Sequence, residues 1–268
     1  AEGAFADRLD FRLPPATTDA ELSTVHDPGY IRRVTCGELT ERELTRLGFP
    51  WSPQLAERSR RSVDATLAAA RHALPTGLGI SLAGGTHHAR ADTGHGFCVF
   101  NDAAVAIAVL RVEGALRSAA VLDLDVHQGN GTAQLFAGHP QVRTISANEA
   151  PSAGRYAYPS DLDIDLPRGT VDAHYLEAVA TALVELERDF APDLVVYIAG
   201  ADPFAGDTLG QLSVTADGLR QRDQMVFSRC RDHHLPVVVT MGGGYMPDVE
   251  AVAAIHATTV ETGLACLE

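Results

Sequence analysis

The segment VLDLDVHQGNG, residues 121–131, contains the side chains best suited to chemistry in this chain. It has the pattern of a strand, in which successive side chains point to opposite faces. This alternation predicts Asp123, Asp125 and His127 on one face, opposite apolar side chains. A solvated edge strand would tolerate the pattern, but the apolar neighbouring segments favour burial. Because two buried carboxylates and an imidazole are costly unless paired, we predict a bound cation.

A third ligand follows the apolar strand LVVYIAGA, residues 194–201. Asp202 stands at the carboxyl end of this strand, in the segment AGADPFAGD, whose glycines permit tight turns. Alone, such a segment is a common turn after a strand. Together with Asp125 and His127, it completes a set of two carboxylates and one histidine. That set leaves an open position on zinc or iron(II), as catalytic metal sites do.

Two further loops follow predicted strands and carry polar side chains to the same edge. In residues 84–102, GGTHHARADTGHGFCVFND, His87 and His88 are adjacent, and we interpret His95 as a solvated loop residue. In TMGGGYMPD, three glycines precede Tyr245, for which a tight turn with a packing tyrosine is the plain alternative.

An alternation of strands and helices must position these loops. Apolar strands are predicted at residues 78–83, 118–126, 142–147, 194–201 and 236–241. Helices are predicted at residues 103–114, 171–190, 215–234 and 248–267, with a long earlier helix that begins at Ser52-Pro53. This order predicts an α/β fold with a parallel sheet flanked by helices on both faces. Ligands bind such sheets beyond the carboxyl ends of the strands.

The first 75 residues are predicted to be a mainly helical part of the same domain, so that residues 1–268 form a single domain. Thr18 with Glu21, and Thr40 with Glu43, have the spacing of capping boxes at helix starts.

The charge balance restricts the partners. The chain has 21 basic residues, all of them arginine, and 35 acidic residues, for a formal net charge of −14. The electric field of such a negative charge repels phosphate groups. The charge therefore disfavours nucleic acid and anionic membranes as partners, and it favours a cationic or neutral substrate. We also find no signal-peptide pattern, no membrane-spanning apolar run and no C-x-x-C pair, and we expect a cytoplasmic protein.

The stretches GGTHHA, GFCVFND, DLDVHQGNGT, GADPFAGD and GGGY together resemble the histone deacetylase family, whose members have the arginase/deacetylase α/β fold. The resemblance extends from about residue 26 to the final predicted helix. The residue types at positions 128 and 130, Gln and Asn, resemble those of the class IV branch of the family and its bacterial relatives.

The resemblance implies a zinc site formed by Asp125, His127 and Asp202, with iron(II) as the alternative metal. It also implies a potassium ion beneath the zinc. That ion would be bound by the side chains of Asp123 and Ser146 and by the backbone carbonyls of Asp125 and His127.

The resemblance further implies catalytic roles. His88 would be the general base and then the general acid, and Asn130 would orient it. His87, hydrogen-bonded to Asp123, would be the electrostatic partner of His88. Tyr245 would donate its hydroxyl to the carbonyl oxygen of the substrate.

Gly96 and Phe97 would line the acyl tunnel of the family. Residues 153–155 stand where the aromatic of the second tunnel wall is expected, and none of them is aromatic. We therefore predict a wider or rearranged pocket, with Tyr156 or Tyr158 in place of that wall.

The resemblance implies a zinc-dependent hydrolase that removes an acetyl or acyl group from an amine, foremost an N-acyl-lysine in protein. A small acylated amine, such as an acylated polyamine, is a close alternative. An arginase-like ureohydrolase would require a further Asp, as a ligand of its second manganese ion, at the position where this sequence has Gly129. A non-catalytic acyl-lysine or metal-binding module would lack a ligand, the base or the tyrosine, and this sequence retains all of them.

Overall fold

The computed structural model describes residues 9–151 and 156–266. Six strands among these residues form one sheet in the order β1-β6-β5-β2-β3-β4, and every pair of neighbouring strands is parallel. The strands are β1 (Leu78–Ser81), β2 (Ala119–Asp123), β3 (Val142–Glu149), β4 (Leu162–Leu166), β5 (Leu194–Ile198) and β6 (Val237–Thr240).

The helices are α1 (Asp19–Leu22), α2 (Pro28–Cys36), α3 (Glu41–Leu47), α4 (Pro53–Thr76), α5 (Asp102–Val112), α6 (Asn130–Phe136), α7 (Asp172–Glu185), α8 (Ala216–Asp232) and α9 (Val249–Cys266). Both predicted capping boxes form, at Thr18 and at Thr40, and the Ser52 side chain caps α4. No helix in the described ranges combines the length and apolarity needed to cross a membrane.

The two faces of the sheet pack against different helices, which confirms the predicted three-layer arrangement. Val121 and Val196 belong to one apolar cluster, together with side chains of α1–α5. Leu122 and Tyr197 alternate with them and belong to a second cluster, with α7, α8 and α9. This alternation along fully buried strands explains why both side-chain sets are apolar.

The site lies where the direction of strand addition reverses. From β2 the chain proceeds outward to β3 and β4, then returns to place β5 on the other side of β2 and β6 beyond it. The loops that follow β2 and β5 diverge to opposite faces of the sheet and leave a crevice, which is where ligands bind in open α/β sheets.

Candidate active site

Asp125, His127 and Asp202 bring three ligand atoms together at this crevice. Nδ1 of His127 lies 3.2 Å from Oδ1 of Asp125 and 3.1 Å from Oδ2 of Asp202. Ligand atoms of the three residues all lie within 4.8 Å of one another. Both carboxylates are buried, whereas 35% of the His127 side chain is exposed. Two buried carboxylates that face one imidazole nitrogen form a donor set that fits a divalent cation.

Side-chain hydrogen bonds to the backbone, rather than strand alternation, bring the acidic residues and His127 together. β2 ends at Asp123, so the predicted strand to residue 126 is too long. Oδ1 of Asp123 accepts from the N–H of Asp125 at 3.2 Å, and Oδ1 of Asp125 accepts from the N–H of His127 at 2.9 Å. In each turn an aspartate binds the backbone two residues later, and the two turns in succession hold all three side chains at the sheet edge.

The charges of the ligand residues perturb one another. Burial raises the pKa of Asp202 to about 7, and the negative charge of Asp125 adds to this rise. Burial opposes a charge on His127, but its hydrogen bonds to Asp125 and Asp202 outweigh that effect and raise its pKa to about 11. The two carboxylates thus favour positive charge at the place where they face the His127 imidazole, as they would favour a metal cation.

The glycines around the ligands are needed for close approach. A Cβ on Gly200 would lie 2.8 Å from carboxylate oxygens of both Asp125 and Asp202, and one on Gly243 would lie 2.2 Å from Asp202. The N–H of Gly243 also donates to Oδ2 of Asp125 at 2.7 Å. The GGGY segment after β6 is therefore packed directly on two of the candidate metal ligands, Asp125 and Asp202.

His87 and His88 lie beside the ligands in different surroundings. Nδ1 of His87 donates to Oδ2 of Asp123 at 2.7 Å. Burial opposes a charge on His87, but the charges of Asp123 and Asp125 raise its pKa to about 9. Nδ1 of His88 lies 3.1 Å from Oδ1 of Asn130. Because an amide oxygen only accepts, Nδ1 carries the proton and Nε2 is left as an acceptor. Burial, together with the charge of His87, lowers the pKa of His88 well below its usual value and favours the neutral ring.

Tyr245 reaches the same cluster from the loop after β6. Its ring centroid lies 6.0 Å from that of His127 and 5.8 Å from that of Phe97. Phe97 packs in turn on Phe49 and remains 40% exposed. Burial raises the pKa of Tyr245 above its ordinary value, and the ligand carboxylates add to the rise, so the hydroxyl keeps its proton and can donate it in a hydrogen bond.

Gly96 and Phe97 both have positive φ angles, a backbone conformation that favours glycine. φ is 51° at Gly96 and 65° at Phe97, in the left-handed region. Their N–H groups donate to the carbonyls of Arg46 and Leu47 at 3.1 and 2.8 Å, which ties this loop to α3. A Cβ on Gly96 would lie 2.7 Å from Cδ2 of His88.

Gly96→Ala is therefore expected to push His88 out of place. Since a displacement near 1 Å costs up to about 10²-fold in rate, we expect kcat/KM to fall by about 10- to 100-fold for an acylated amine, the substrate class that the sequence resemblance implies. Gly138→Ala is the matched control, because Gly138 has a φ of 77° but no atom within 4 Å of a built Cβ. Both variants lose stability through backbone strain. Equal activity of the two variants would contradict the clash with His88.

His95 is exposed, as predicted, yet its ring lies edge-on to His88 with centroids 5.7 Å apart. Residues 153–155 lie outside the described residues. The Tyr156 hydroxyl donates to a β4 carboxylate at 2.5 Å, and the Tyr158 ring packs against the guanidinium of Arg90. Neither tyrosine has a ring contact with Phe97 in the described structure, and their place in a second tunnel wall stays a prediction.

The predicted potassium ligands are neighbours in the sheet. Ser146 on β3 is the register partner of Asp123 on β2. The carbonyls of Asp125 and His127 accept no hydrogen bond from the described part of the chain, so both are free to bind a cation. The Ser146 hydroxyl instead donates to Oδ1 of Asn148 at 2.7 Å, and it would have to rotate to join them.

Gly129 leaves no room for the acidic side chain that a second metal ion would require. A Cβ at this position would lie 2.3 Å from Oδ2 of Asp123. Among the described residues, the only cluster with metal-ligand spacing is the three-residue set above. Both observations disfavour an arginase-like binuclear centre.

Sequence reasoning missed three residues that hold the loops of the site. Asp102, the first residue of α5, accepts from the N–H groups of Gly85 and Thr86 at 3.1 and 2.8 Å. Asp207 binds the backbone of Tyr245, and His26 supports the loop after β1. Asp102 and Asp207 lie within stretches that carry the family resemblance, and His26 lies at the start of the region that it covers; these positions are the signal that could have found them.

His26 is buried and bridges two backbone groups. Its Nε2 accepts from the N–H of Asn101 at 3.0 Å, so Nδ1 carries the proton and donates to the carbonyl of Arg90 at 2.9 Å. Both bonded residues belong to the loop that carries His87 and His88. Burial lowers the pKa of His26 to about 4, and protonation of Nε2 would also break its hydrogen bond from the N–H of Asn101.

The lowered pKa predicts a pH-dependent stability. The unfolded chain binds the proton near pH 6.5, whereas the folded chain resists it until about pH 4. The contribution of neutral His26 is thus complete above pH 6.5 and is lost as the pH falls toward 4. As the pH falls over this range, the wild-type protein should lose about 3 kcal/mol more of its unfolding free energy than His26→Gln loses, since each pKa unit corresponds to about 1.4 kcal/mol. Urea titrations at several pH values measure this difference. Exposed His139→Gln should retain the wild-type slope, and equal slopes for all three proteins would contradict the prediction.

Comparison with known proteins gives a consistent result. Residues 2–261 match the family model described as histone deacetylase domain. The acetylpolyamine amidohydrolase of Burkholderia pseudomallei is 32% identical, over 90% of this chain and 82% of its own length. Histone deacetylase 2 of Arabidopsis thaliana is 34% identical over 73% of this chain, which spans 51% of that protein. The acetoin utilization protein AcuC of Bacillus subtilis is 30% identical, over 88% and 66% of the two chains.

Solved structures share the fold over nearly the whole chain. The HD domain of HDA15 superposes with a TM-score of 0.80 at 24% identity, over 99% of this chain and 82% of that one. The acetylpolyamine aminohydrolase from Burkholderia pseudomallei has a TM-score of 0.76 at 27% identity, over 98% and 88%. The predicted arginase/deacetylase architecture is therefore confirmed.

Proposed function

The chain belongs to the histone deacetylase family, and on that premise we propose that it is a zinc-dependent hydrolase that removes an acetyl or other acyl group from an amine. One observation carries the proposal. The donor set of Asp125, His127 and Asp202 lies beside both His88 and Tyr245, whose rings are each 6.0 Å from the ring of His127. A metal, a base and a hydrogen-bond donor at one place are the requirements of amide hydrolysis.

Asp125, His127 and Asp202 would hold the metal, and the two carboxylates would balance its charge. Bound zinc would supply Lewis acidity, which acidifies water and polarises the acyl carbonyl. Iron(II) is compatible with the same donors. The potassium ion implied by the resemblance would lie near Asp123 and Ser146.

His88 would take the proton of the attacking water at Nε2 and deliver it to the departing amine. Its Nδ1 is committed to Asn130, and its lowered pKa keeps Nε2 unprotonated near neutral pH. The positive charge of His87 lies alongside, with the two histidine rings 4.1 Å apart, and it adds to burial in opposing premature protonation of His88. A positioned acid–base group contributes about 10²–10⁴ in rate.

Tyr245 would donate a hydrogen bond to the acyl oxygen as negative charge develops there. Its raised pKa keeps the hydroxyl protonated. Gly96 and Phe97 would line the path of the acyl group, since the partly exposed Phe97 ring packs against that of Tyr245.

An N-acyl-lysine side chain in protein is the first substrate candidate. An acylated polyamine is the second, favoured by the similarity to a bacterial acetylpolyamine amidohydrolase over 82% of that protein. The net charge of −14 favours a cationic substrate of either kind over a nucleic-acid partner. We expect the reaction to take place in the cytoplasm.

The test is hydrolysis by the zinc-loaded protein of a fluorogenic Nε-acetyl-lysine peptide and of an N-acetylated polyamine. We expect turnover of at least one, reduced about 10²–10³-fold in Tyr245→Phe and abolished in Asp202→Ala. Turnover of the polyamine alone would select the second candidate. Zinc binding without turnover of either substrate, or of their longer acyl analogues, would overturn the proposal.

A further inference from the structure

We propose that Asp207, assisted by Thr208, is a positioning residue that fixes the backbone of Tyr245; this inference rests on the proposed function. The two residues follow β5 in the same loop as Asp202, one of the proposed metal ligands. They would act through Tyr245 and touch neither substrate nor metal.

The hydrogen bonds of this loop converge on one residue. Oδ2 of Asp207 accepts from the N–H of Tyr245 at 2.6 Å, and the Thr208 hydroxyl donates to the carbonyl of Tyr245 at 2.5 Å. Both backbone polar groups of Tyr245 are thereby bonded to two consecutive side chains. Oδ1 of Asp207 accepts from the N–H groups of Leu209 and Gly210, each at 2.8 Å, which holds the carboxylate itself in place.

The segment before Tyr245 needs such a restraint because it consists of three glycines. Glycine has more conformational freedom to lose than any other residue. At Gly243 the segment is fixed, because its N–H donates to Asp125 and its carbonyl accepts from the N–H of Ala201 at 2.7 Å. Asp207 and Thr208 supply the second attachment at Tyr245, so the backbone is held on both sides of Gly244.

The carboxylate of Asp207 is fully used by this arrangement. It accepts three backbone N–H groups, and it is not among the residues with metal-ligand spacing. Asparagine at this position would keep Oδ1 on Leu209 and Gly210. Its Nδ2 would then face the N–H of Tyr245, donor against donor. Asp207→Asn therefore breaks the bond to Tyr245 while it preserves the turn.

Steady-state kinetics on the zinc-loaded protein give the first measurement. We expect Asp207→Asn to lower kcat by about 10- to 100-fold with KM changed less than about twofold, as for loss of an interaction made in the transition state. Zinc content should be unchanged. Thr208→Val should lower kcat by a few fold, and Thr208→Ser should restore it. Asp248→Asn, at an exposed carboxylate that binds only the N–H of Glu250, is the control with wild-type kinetics.

A double-mutant cycle separates positioning from general destabilisation. If Asp207 acts through Tyr245, then Asp207→Asn in the Tyr245→Phe background should cost no further rate, because the hydroxyl that it positions is already absent. Additive losses, or a wild-type kcat in Asp207→Asn, would overturn the inference.

A measurement without turnover makes the two proposals distinguishable. With 3-fluorotyrosine at the six tyrosines, the ¹⁹F line of Tyr245 is the one missing from Tyr245→Phe. We expect Asp207→Asn to shift or broaden that line and leave the other five unchanged. A moved line in a protein that hydrolyses no acylated amine would refute the proposed function and support the positioning. An unmoved line with unchanged kcat in an active enzyme would refute the positioning alone.

Discussion

Asp202→Asn is expected to abolish metal binding and to lower acyl-amine hydrolysis by about 10³-fold or more, since a metal ion supplies several kcal/mol of charge stabilisation. Oδ1 of Asp202 accepts from the N–H of Val126 at 2.9 Å, whereas Oδ2 faces Nδ1 of His127. Asparagine would retain the first contact through its carbonyl oxygen. It would then present an NH₂ group, which cannot bind a metal, to the site.

The measurement is zinc stoichiometry by elemental analysis, alongside the rate. Asp193→Asn is the matched control, because Asp193 immediately precedes β5 while Asp202 follows that strand. Its carboxylate binds the N–H groups of Arg117 and Ser118, far from the ligand cluster along the strand. Full zinc occupancy in Asp202→Asn would exclude Asp202 as a ligand.

His88→Gln is expected to lower kcat by about 10²–10⁴-fold while zinc stays bound, because glutamine can form hydrogen bonds but cannot carry the proton. The prediction differs from that for Asp202 in its metal content, so the two variants separate loss of the base from loss of the ligand. Nε2 of His88 is the atom in question, because Nδ1 is bonded to Asn130.

His95→Gln serves as the control for His88. The two rings lie 5.7 Å apart in the same loop, but His95 is exposed. We expect its kcat to stay within about threefold of wild type, within the range of a surface substitution. A loss of kcat in His95→Gln as large as that in His88→Gln would contradict the assignment of His88 as the general base.

The central strands were predictable because burial on both faces makes them continuous apolar runs, as in β2, β5 and β6. β4 was not predicted, because its sequence LDIDL lies at the sheet edge and alternates aspartate with apolar residues, so its apolar signal is weak. α6 was missed for a different reason. It begins at Asn130 between two glycines, which have poor helix propensity.

The predicted ligand residues do converge, because residue type and position after a strand are local properties of the sequence. The residues that hold the loops were less accessible. Asp207 binds Tyr245 across 38 positions of the chain, and His26 binds Asn101 across 75. No local periodicity encodes such contacts. Only the fold brings those segments together.

The reversal of strand order between β2 and β5 also bears on folding kinetics. These central strands are hydrogen-bonded neighbours although about 70 residues separate them, so their pairing requires closure of a long chain segment. The proposed metal ligands follow these two strands, and the unfolded chain contains no assembled site for a cation. Zinc would therefore bind only after β2 has paired with β5, and bound zinc would slow the separation of these two strands. Chelation should then accelerate amide hydrogen exchange along β2 and β5 more than along the outer strand β4.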